Sequence, residues 1–257
     1  MIFKELYDYR EMVCSLVRRD LVGKYKKSVM GFLWTFIEPL LQLLVYTVVF
    51  TMIMPMEIDN FYIHLFVALI PWNFVSACLT GGCMSVVSQQ DMVKKIYFPR
   101  EVLPLAYVTS QFVNMLFSFI VVFAILLIAG IGFNPAAILW LPVVMAIQYI
   151  FCLGITLLVS AVTVYLRDMQ QILTALSLVL MYASPIIYPL DMIPENVRGI
   201  YMMNPISAII VAYRDILYYG VIPEGTILAA AFGISTILLL VGYFLFAWLK
   251  RHFVEEL

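Results

Sequence analysis

The chain has 257 residues, of which 64% are hydrophobic and 12% are charged, and its mean hydropathy is +1.01. A soluble protein of this composition would aggregate, so the composition excludes a water-soluble enzyme or binding module. The net charge of −1 neither favours nor excludes a nucleic-acid partner, and none is expected. The cysteines show no metal-ligand spacing, so we interpret them as small packing residues and expect no metal site: Cys14, Cys78, Cys83 and Cys152.

The N-terminal segment, residues 2–22, has an amphipathic helical pattern. Its apolar side contains Leu6, Val13 and Leu16, and its charged side contains Arg18 and Arg19. Such a helix lies in the cytoplasmic headgroup region with its apolar side buried. Two roles stay open, because the pattern fits both a fixed surface anchor and a lever that moves during transport.

Six stretches are apolar and long enough to cross a bilayer, which requires about 20 residues. The sequence therefore predicts an all-α membrane protein with six transmembrane helices, preceded by the N-terminal amphipathic interfacial helix. The predicted spans are Phe32–Met54, Tyr62–Val86, Leu103–Ala129, Ala136–Val164, Ile172–Tyr188 and Ile227–Leu249.

Lysine and arginine are distributed unevenly between the two sides of this topology. Of the 15 basic residues, 13 fall in residues 1–30, in residues 87–101, at Arg167 or after the last span. An even number of spans places both termini on one side, and the positive-inside rule makes that side cytoplasmic. Both termini are therefore expected in the cytoplasm.

The loop Ser88–Pro104 mixes charged residues with the consecutive apolar residues Ile96, Tyr97 and Phe98. We expect a short helix here that exposes these side chains for docking to a soluble protein. A basic loop that contacts anionic lipid is the alternative. The later segment Ser184–Gly225 is too apolar for a solvated loop and too interrupted for a span, so short helices in the outer leaflet are expected, either as an external gate or as a cap.

The sequence contains no nucleotide-binding loop and no catalytic constellation, so the chain is not expected to hydrolyse ATP. Glu38 near the start of the first span either pairs with a cytoplasmic cation or faces a polar path. Most aromatic residues belong to packing or to the interface belt, but a few are candidates to line a channel and stack on sugar rings. These candidates are Tyr46, Phe50, Tyr182 and Tyr188.

Four ordered motifs carry a family resemblance. The block Leu16–Phe50 contains Arg-Asp, Tyr-Lys-x-Ser, Gly-x-x-Trp and Pro-Leu elements, with Met30 where leucine is common before the glycine. KKIYFPREVLPL at Lys94–Leu105, YLRDM at Tyr165–Met169, and Asn204-Pro205 with Arg214 follow in order. Together they resemble the permease subunit of ABC-2-type exporters, in particular the branch that exports lipid-linked polysaccharides such as O antigens, capsules and teichoic acids.

The resemblance implies a single permease domain over residues 1–257 of a bacterial cytoplasmic-membrane exporter. It comprises an interfacial gate helix in 1–30, a six-span bundle in 31–249 with an outer re-entrant gate region at 184–225, and a cytoplasmic tail at 250–257. The implied assembly has two copies of this chain and two copies of a separate ATPase, which binds the ATP and Mg²⁺. The cargo, most simply an O antigen, is linked to undecaprenyl diphosphate.

The resemblance also assigns roles to residues. The coupling helix that contacts the ATPase comprises Lys94, Lys95, Ile96, Tyr97, Phe98, Pro99, Arg100 and Glu101. The gate helix near the lipid diphosphate carries Arg18, Arg19, Asp20, Lys24, Lys26 and Lys27, whose cations suit a diphosphate or anionic lipid equally well. Asn204, Pro205 and Arg214 belong to the outer gate. Alternatives are export of teichoic acid, capsule or a small molecule such as a drug and, from another class, a channel or secondary transporter.

Overall fold

The computed structural model describes residues 8–23, 30–53, 58 and 60–257. Within these residues every regular element is helical and there is no strand, as the sequence predicted. In chain order the α-helices are α1 Arg10–Gly23, α2 Trp34–Val48, α3 Phe61–Thr80, α4 Gln90–Lys95, α5 Val102–Ile128, α6 Pro135–Ile138, α7 Leu141–Tyr165, α8 Met169–Tyr182, α9 Glu195–Met203, α10 Pro205–Arg214, α11 Gly225–Leu249 and α12 Phe253–Glu256. Wider π-helical turns extend α2 over Val49–Ile53 and α10 over Asp215–Tyr219.

Five apolar stretches of the described chain are long enough to cross a membrane, and each overlaps a predicted span. They are Trp34–Ile53, Phe61–Met84, Val102–Ile128, Pro135–Tyr165 and Gly225–Glu256. The remaining prediction, Ile172–Tyr188, corresponds to the shorter apolar helix α8, which has 14 residues. At about 1.5 Å per residue such a helix is shorter than the hydrocarbon core. Pro185 follows its end, and Tyr182 is its last helical residue.

Helix α3 lies at the centre of the bundle. Of the 18 consecutive residues with the highest mean hydropathy in the α3 span, 78% are buried, whereas only 6% of the corresponding residues of α2 are buried. A helix that is apolar on all sides is one that neighbours surround, and α3 packs against α2, α5, α7, α8 and α10. Helix α2 is therefore a peripheral helix with most of its apolar surface uncovered.

Helices α7 and α11 approach each other closely at two glycines. A Cβ atom on Gly154 would lie 2.6 Å from the main-chain nitrogen of Leu239, and one on Gly242 would collide with the Gly154 carbonyl oxygen. Small residues allow membrane helices to pack backbone against backbone. Neither glycine therefore has room for a side chain.

A second apolar cluster lies apart from the main core, at the end of the bundle where both described termini are found. Leu16 of α1, Val93 of α4, Phe98, Phe246 of α11 and Phe253 of α12 are all buried in it. The amphipathic α1 thus packs its apolar side on the bundle, mainly against α5. Three cysteines are buried as expected, but Cys14 is exposed on α1, so the packing interpretation is wrong for that residue.

Candidate functional site

A polar groove of about 570 Å³ lies between α2, α3 and α5, within the apolar part of the bundle. Each helix contributes three polar side chains at positions i, i+3 and i+7, which is the spacing of one helix face. These are Thr35, Glu38 and Gln42 on α2, Asn73, Ser76 and Thr80 on α3, and Gln111, Asn114 and Ser118 on α5. Polar side chains inside a membrane are costly, so three aligned faces indicate a wet path.

Two amide side chains connect α2 and α3 across the groove, since the Asn73 amide donates to Gln42 Oε1 over 3.1 Å. The Asn114 Oδ1 atom is buried and has no hydrogen-bond partner within the described residues. An unsatisfied buried acceptor costs about 1–3 kcal/mol. Asn114 therefore lies on the groove wall with a buried acceptor that the described residues leave unsatisfied.

The groove continues towards α1. A neighbouring cavity of about 370 Å³ shares Gln111 and Asn114 with the groove and is also lined by Arg19, Asp20 and Gln89. Glu38, for which pairing and a polar path were both open, lies on the groove wall. The path thus runs from the charged surface of α1 to the amide-lined interior.

The gate-helix residues that the structure describes are Arg18, Arg19 and Asp20. Arg19 donates to Gln89 Oε1 over 3.3 Å and lies 3.5 Å from the Asp20 carboxylate, while Arg18 is exposed. Burial raises the pKa of Asp20 above its ordinary value, and the neighbouring Arg19 opposes that shift. Lys24, Lys26 and Lys27 lie outside the described residues.

The segment predicted as a coupling helix, Lys94–Glu101, is mostly not helical, and this prediction is wrong in its bounds. The helix is Gln90–Lys95, and Ile96 is already extended. Pro99 accounts for the difference, because a proline disfavours helical geometry at the preceding residue and lacks the N–H that a helix needs.

Exposure within this segment also differs from the prediction. Tyr97 is 96% exposed and Ile96 is 57% exposed, whereas Phe98 is only 6% exposed. The side chain of Phe98 belongs to the second apolar cluster. Phe98 therefore anchors the segment, and Tyr97 and Ile96 form its free surface.

The C-terminal turn Lys250–His252 is held to the coupling segment by an ion pair and a hydrogen bond, which we call the Lys250 clasp. The sequence did not indicate this contact. Lys250 Nζ lies 2.5 Å from Glu101 Oε1. The Arg100 guanidinium donates to the Lys250 carbonyl and lies 5.8 Å from the centre of the Phe253 ring. Burial lowers the pKa of Arg100 below its ordinary value, although the adjacent Glu101 opposes the shift. The partners are about 150 positions apart in sequence, so no local pattern indicates them.

The aromatic residues proposed as channel lining do not border the polar groove. Phe50 packs edge to face on Phe61 with ring centres 4.9 Å apart. The Tyr188 hydroxyl donates to the Tyr182 carbonyl over 2.6 Å and approaches the Tyr201 hydroxyl at 3.3 Å. The polar residues that do line the groove were not predicted, although their i, i+3, i+7 spacing on each helix is visible in the sequence.

Residues 184–225 contain the short helices that the sequence predicted, α9 and α10. Asn204 caps α10 by accepting from the Ile206 N–H over 3.0 Å, and Pro205 occupies the first helical position. Arg214 is buried and donates to the carbonyl oxygens of His64, Pro185, Ile186 and Tyr188. Asn204 and Pro205 thus fix the start of α10, and Arg214 satisfies carbonyl groups of the non-helical backbone after α8.

This architecture defines a class of protein. It is a multi-span helical membrane protein with a polar groove and an exposed apolar loop. The chain belongs to the ABC-2 type transporter family, which matches residues 11–218. This confirms the family resemblance and the expected membrane localisation.

Named relatives cover nearly the whole chain. It is 34% identical to the O-antigen export system permease protein RfbA of Myxococcus xanthus, over 100% of this chain and 99% of that protein. It is 30% identical to the protein of the same name from Klebsiella pneumoniae, over 96% of this chain and 95% of that protein. Identity to the polysialic acid transport protein KpsM of Escherichia coli is 24%, over 90% of this chain and 91% of that protein.

Proposed function

We propose that this chain is the membrane-spanning permease of an ATP-driven exporter that moves an undecaprenyl-diphosphate-linked O antigen across the bacterial cytoplasmic membrane. The observation that supports the proposal is the polar groove between α2, α3 and α5 of the apolar bundle, with a neighbouring cavity that reaches Arg19 of α1. The O-antigen export permeases that match over nearly the full chain support the choice of cargo.

The topology in this proposal has six crossings, with both termini in the cytoplasm. The apolar helix α8 supplies the fifth crossing together with the residues after it, up to Tyr188. Basic residues near the termini and in residues 87–101 support this orientation. The Arg214 support then lies on the outer side, where it satisfies non-helical backbone at membrane depth.

Energy comes from a separate ATPase subunit that binds ATP and Mg²⁺. Ile96 and Tyr97 are the contact surface for it, because they are exposed apolar side chains on a loop that Phe98 and the Lys250 clasp hold in place. Two copies of the permease flank the glycan path in the working assembly, and the uncovered apolar side of α2 supports such a second copy.

The test is ATP hydrolysis by this chain in liposomes with its ATPase, measured with and without an undecaprenyl-diphosphate-linked glycan. We expect the glycan to stimulate hydrolysis and the Tyr97→Glu variant to lose both ATPase binding and stimulation. Leu166→Glu is the matched control, since it places the same charge at an exposed apolar residue on another loop. Absence of stimulation in the wild type, or equal loss in both variants, would contradict the proposal.

The alternative cargo is an acidic capsular polysaccharide, because the relative KpsM carries polysialic acid in its name.

A further inference from the structure

The C-terminal tail, residues 250–257, is fixed to the ends of two membrane helices. The Phe253 ring is fully buried and packs edge to face on Phe246 of α11, with ring centres 5.4 Å apart. It also packs on Tyr165 at the end of α7, at 6.3 Å. The Tyr165 hydroxyl donates to the Leu249 carbonyl over 2.9 Å. The tail is therefore a packed extension of α7 and α11.

The C-terminal tail also holds the coupling segment, Lys94–Glu101, next to its junction with α5. Lys250 forms an ion pair with the Glu101 carboxylate. The Arg100 guanidinium donates to the Lys250 carbonyl and lies over the Phe253 ring. The Glu101 side chain is only 8% exposed, and a largely buried carboxylate is costly without its cation. The ion pair therefore favours the arrangement in which the segment and the tail stay together.

The coupling segment thus has two connections to the bundle. One is the covalent connection to α5, which supplies Gln111, Asn114 and Ser118 to the groove wall. The other is the Lys250 clasp, which leads to α7 and α11, and none of the described residues that line the groove belongs to those two helices. Since α7 and α11 touch backbone to backbone at Gly154 and Gly242, we expect this pair to respond to a displacement as one unit.

We propose that the C-terminal tail is part of the coupling machinery and that Lys250 is its positioning residue. This inference rests on the proposed function, because it requires an ATPase that binds Ile96 and Tyr97. Residues 96–101 are not helical, so they lack the repeated main-chain hydrogen bonds that stiffen a helix. With the Lys250 clasp closed, a movement of the ATPase reaches α5 and the α7–α11 pair together. With the clasp open, the segment deforms locally and less of the movement reaches the groove.

The experiment measures two quantities for the chain with its ATPase. They are the affinity of the ATPase for the permease in lipid nanodiscs, and the increase in ATP hydrolysis that an undecaprenyl-diphosphate-linked glycan produces in liposomes. For Lys250→Met we expect that increase to fall about fivefold, the ratio that corresponds to ~1 kcal/mol for a partly solvated ion pair. The affinity should change less than about twofold, because the contact surface of Ile96 and Tyr97 is retained.

Two further variants test whether the cation at position 250 is the cause. Lys250→Arg keeps a cation within reach of Glu101 and should keep the glycan stimulation. Arg251→Met is the matched control, because it removes the next cation of the same turn, which is exposed. It should leave both the ATPase affinity and the glycan stimulation unchanged.

A double variant separates coupling from folding stability. Lys250→Met leaves the Glu101 carboxylate largely buried without its cation, and adding Glu101→Gln removes that penalty. The double variant should therefore recover thermal stability without recovering the glycan stimulation. It also keeps the test informative if Lys250→Met alone does not fold.

The outcomes separate the inference from the function on which it rests. Recovery of stimulation together with stability in the double variant would mean that Lys250 acts only on folding, which overturns the inference. Full stimulation of Lys250→Met, or a loss of ATPase affinity as large as the loss of stimulation, also overturns it and leaves the export function standing. Absence of stimulation in the wild type overturns the export function, and the inference with it.

Discussion

The two ends of the bundle are held by arginines that work in different ways. Arg214 is 3% exposed and donates to main-chain carbonyl oxygens of α3 and of the non-helical residues after α8. At the opposite end, Arg100, the Lys250–Glu101 ion pair and a cluster of apolar side chains together hold the coupling segment in place. At the first end one side chain meets several main-chain carbonyl groups, whereas several groups together hold the coupling segment at the other end.

The difference follows from what each end has to stabilise. Non-helical backbone among apolar helices has carbonyl groups that neither water nor helix can satisfy, and the five donors of one guanidinium meet several of them at once. The coupling segment has a solvated surface, so its anchoring can be distributed over weaker contacts. We therefore expect the single substitution of Arg214 to remove the support of the non-helical backbone at the first end, whereas each substitution at the second end removes only one of several anchors.

The largest effect is expected for Arg214→Ala. It leaves the non-helical carbonyl groups of Pro185, Ile186 and Tyr188 without this donor, at a cost of about 3 kcal/mol or more. The thermal midpoint in detergent measures the loss. Arg198→Ala is the matched control, because Arg198 makes one long bond to the Leu190 carbonyl and an ion pair with exposed Asp191. Equal midpoints for the two variants would show that Arg214 is not the support of this end.

Phe98→Ala should cost about 3 kcal/mol, because it removes a buried aromatic ring from the second apolar cluster. Tyr97→Ala, one position earlier, should leave the thermal midpoint nearly unchanged because Tyr97 is exposed. In an ATPase-binding assay, at a temperature where both variants are folded, the order of the two variants should be reversed. Tyr97→Ala should then show the larger loss of ATPase binding. If Tyr97→Ala binds the ATPase normally, the coupling surface lies elsewhere.

Lys250→Met should cost about 1–2 kcal/mol, since the Glu101 carboxylate then stays largely buried without its cation, while the lysine itself is partly solvated. Adding Glu101→Gln should recover part of that loss. A double-mutant cycle on thermal stability gives the coupling between the two side chains. Additive losses would mean that the clasp contributes no pairwise stabilisation.

The smallest expected effect is the pH dependence of the stability of helix α1. The pKa of Asp20 is raised in the folded protein from the ordinary 3.8, so its charged form destabilises the packed helix above that folded pKa. As pH falls through the raised pKa, protonation removes this penalty and α1 becomes better protected. Hydrogen exchange of the α1 amides, corrected for the intrinsic pH dependence of exchange, measures this change. Asp20→Asn should abolish it, and an identical profile in the variant would assign the effect to another group.

Local physical signals in the sequence predicted five spans to within a few residues, because a run of apolar residues identifies a membrane helix without knowledge of its neighbours. The family resemblance implied a helix over Lys94–Glu101, but α4 ends at Lys95, because Pro99 disfavours helical geometry in the residues before it. Sequence reasoning missed the Lys250 clasp, since its partners meet only through the fold. The groove could be predicted only in part. The spacing of Asn73, Ser76 and Thr80 indicates a polar helix face, but the sequence does not show which helices that face contacts.

The most direct test is photo-cross-linking of the moving glycan. A photoreactive amino acid replaces Asn73 in the groove or, as a control, Ile237 on the exposed side of α11, in cells that synthesise the lipid-linked O antigen. Export through the groove predicts a ladder of polysaccharide attached to the permease from the Asn73 position alone. A ladder of equal strength from Ile237, or none from Asn73 while export continues, would contradict passage through the groove.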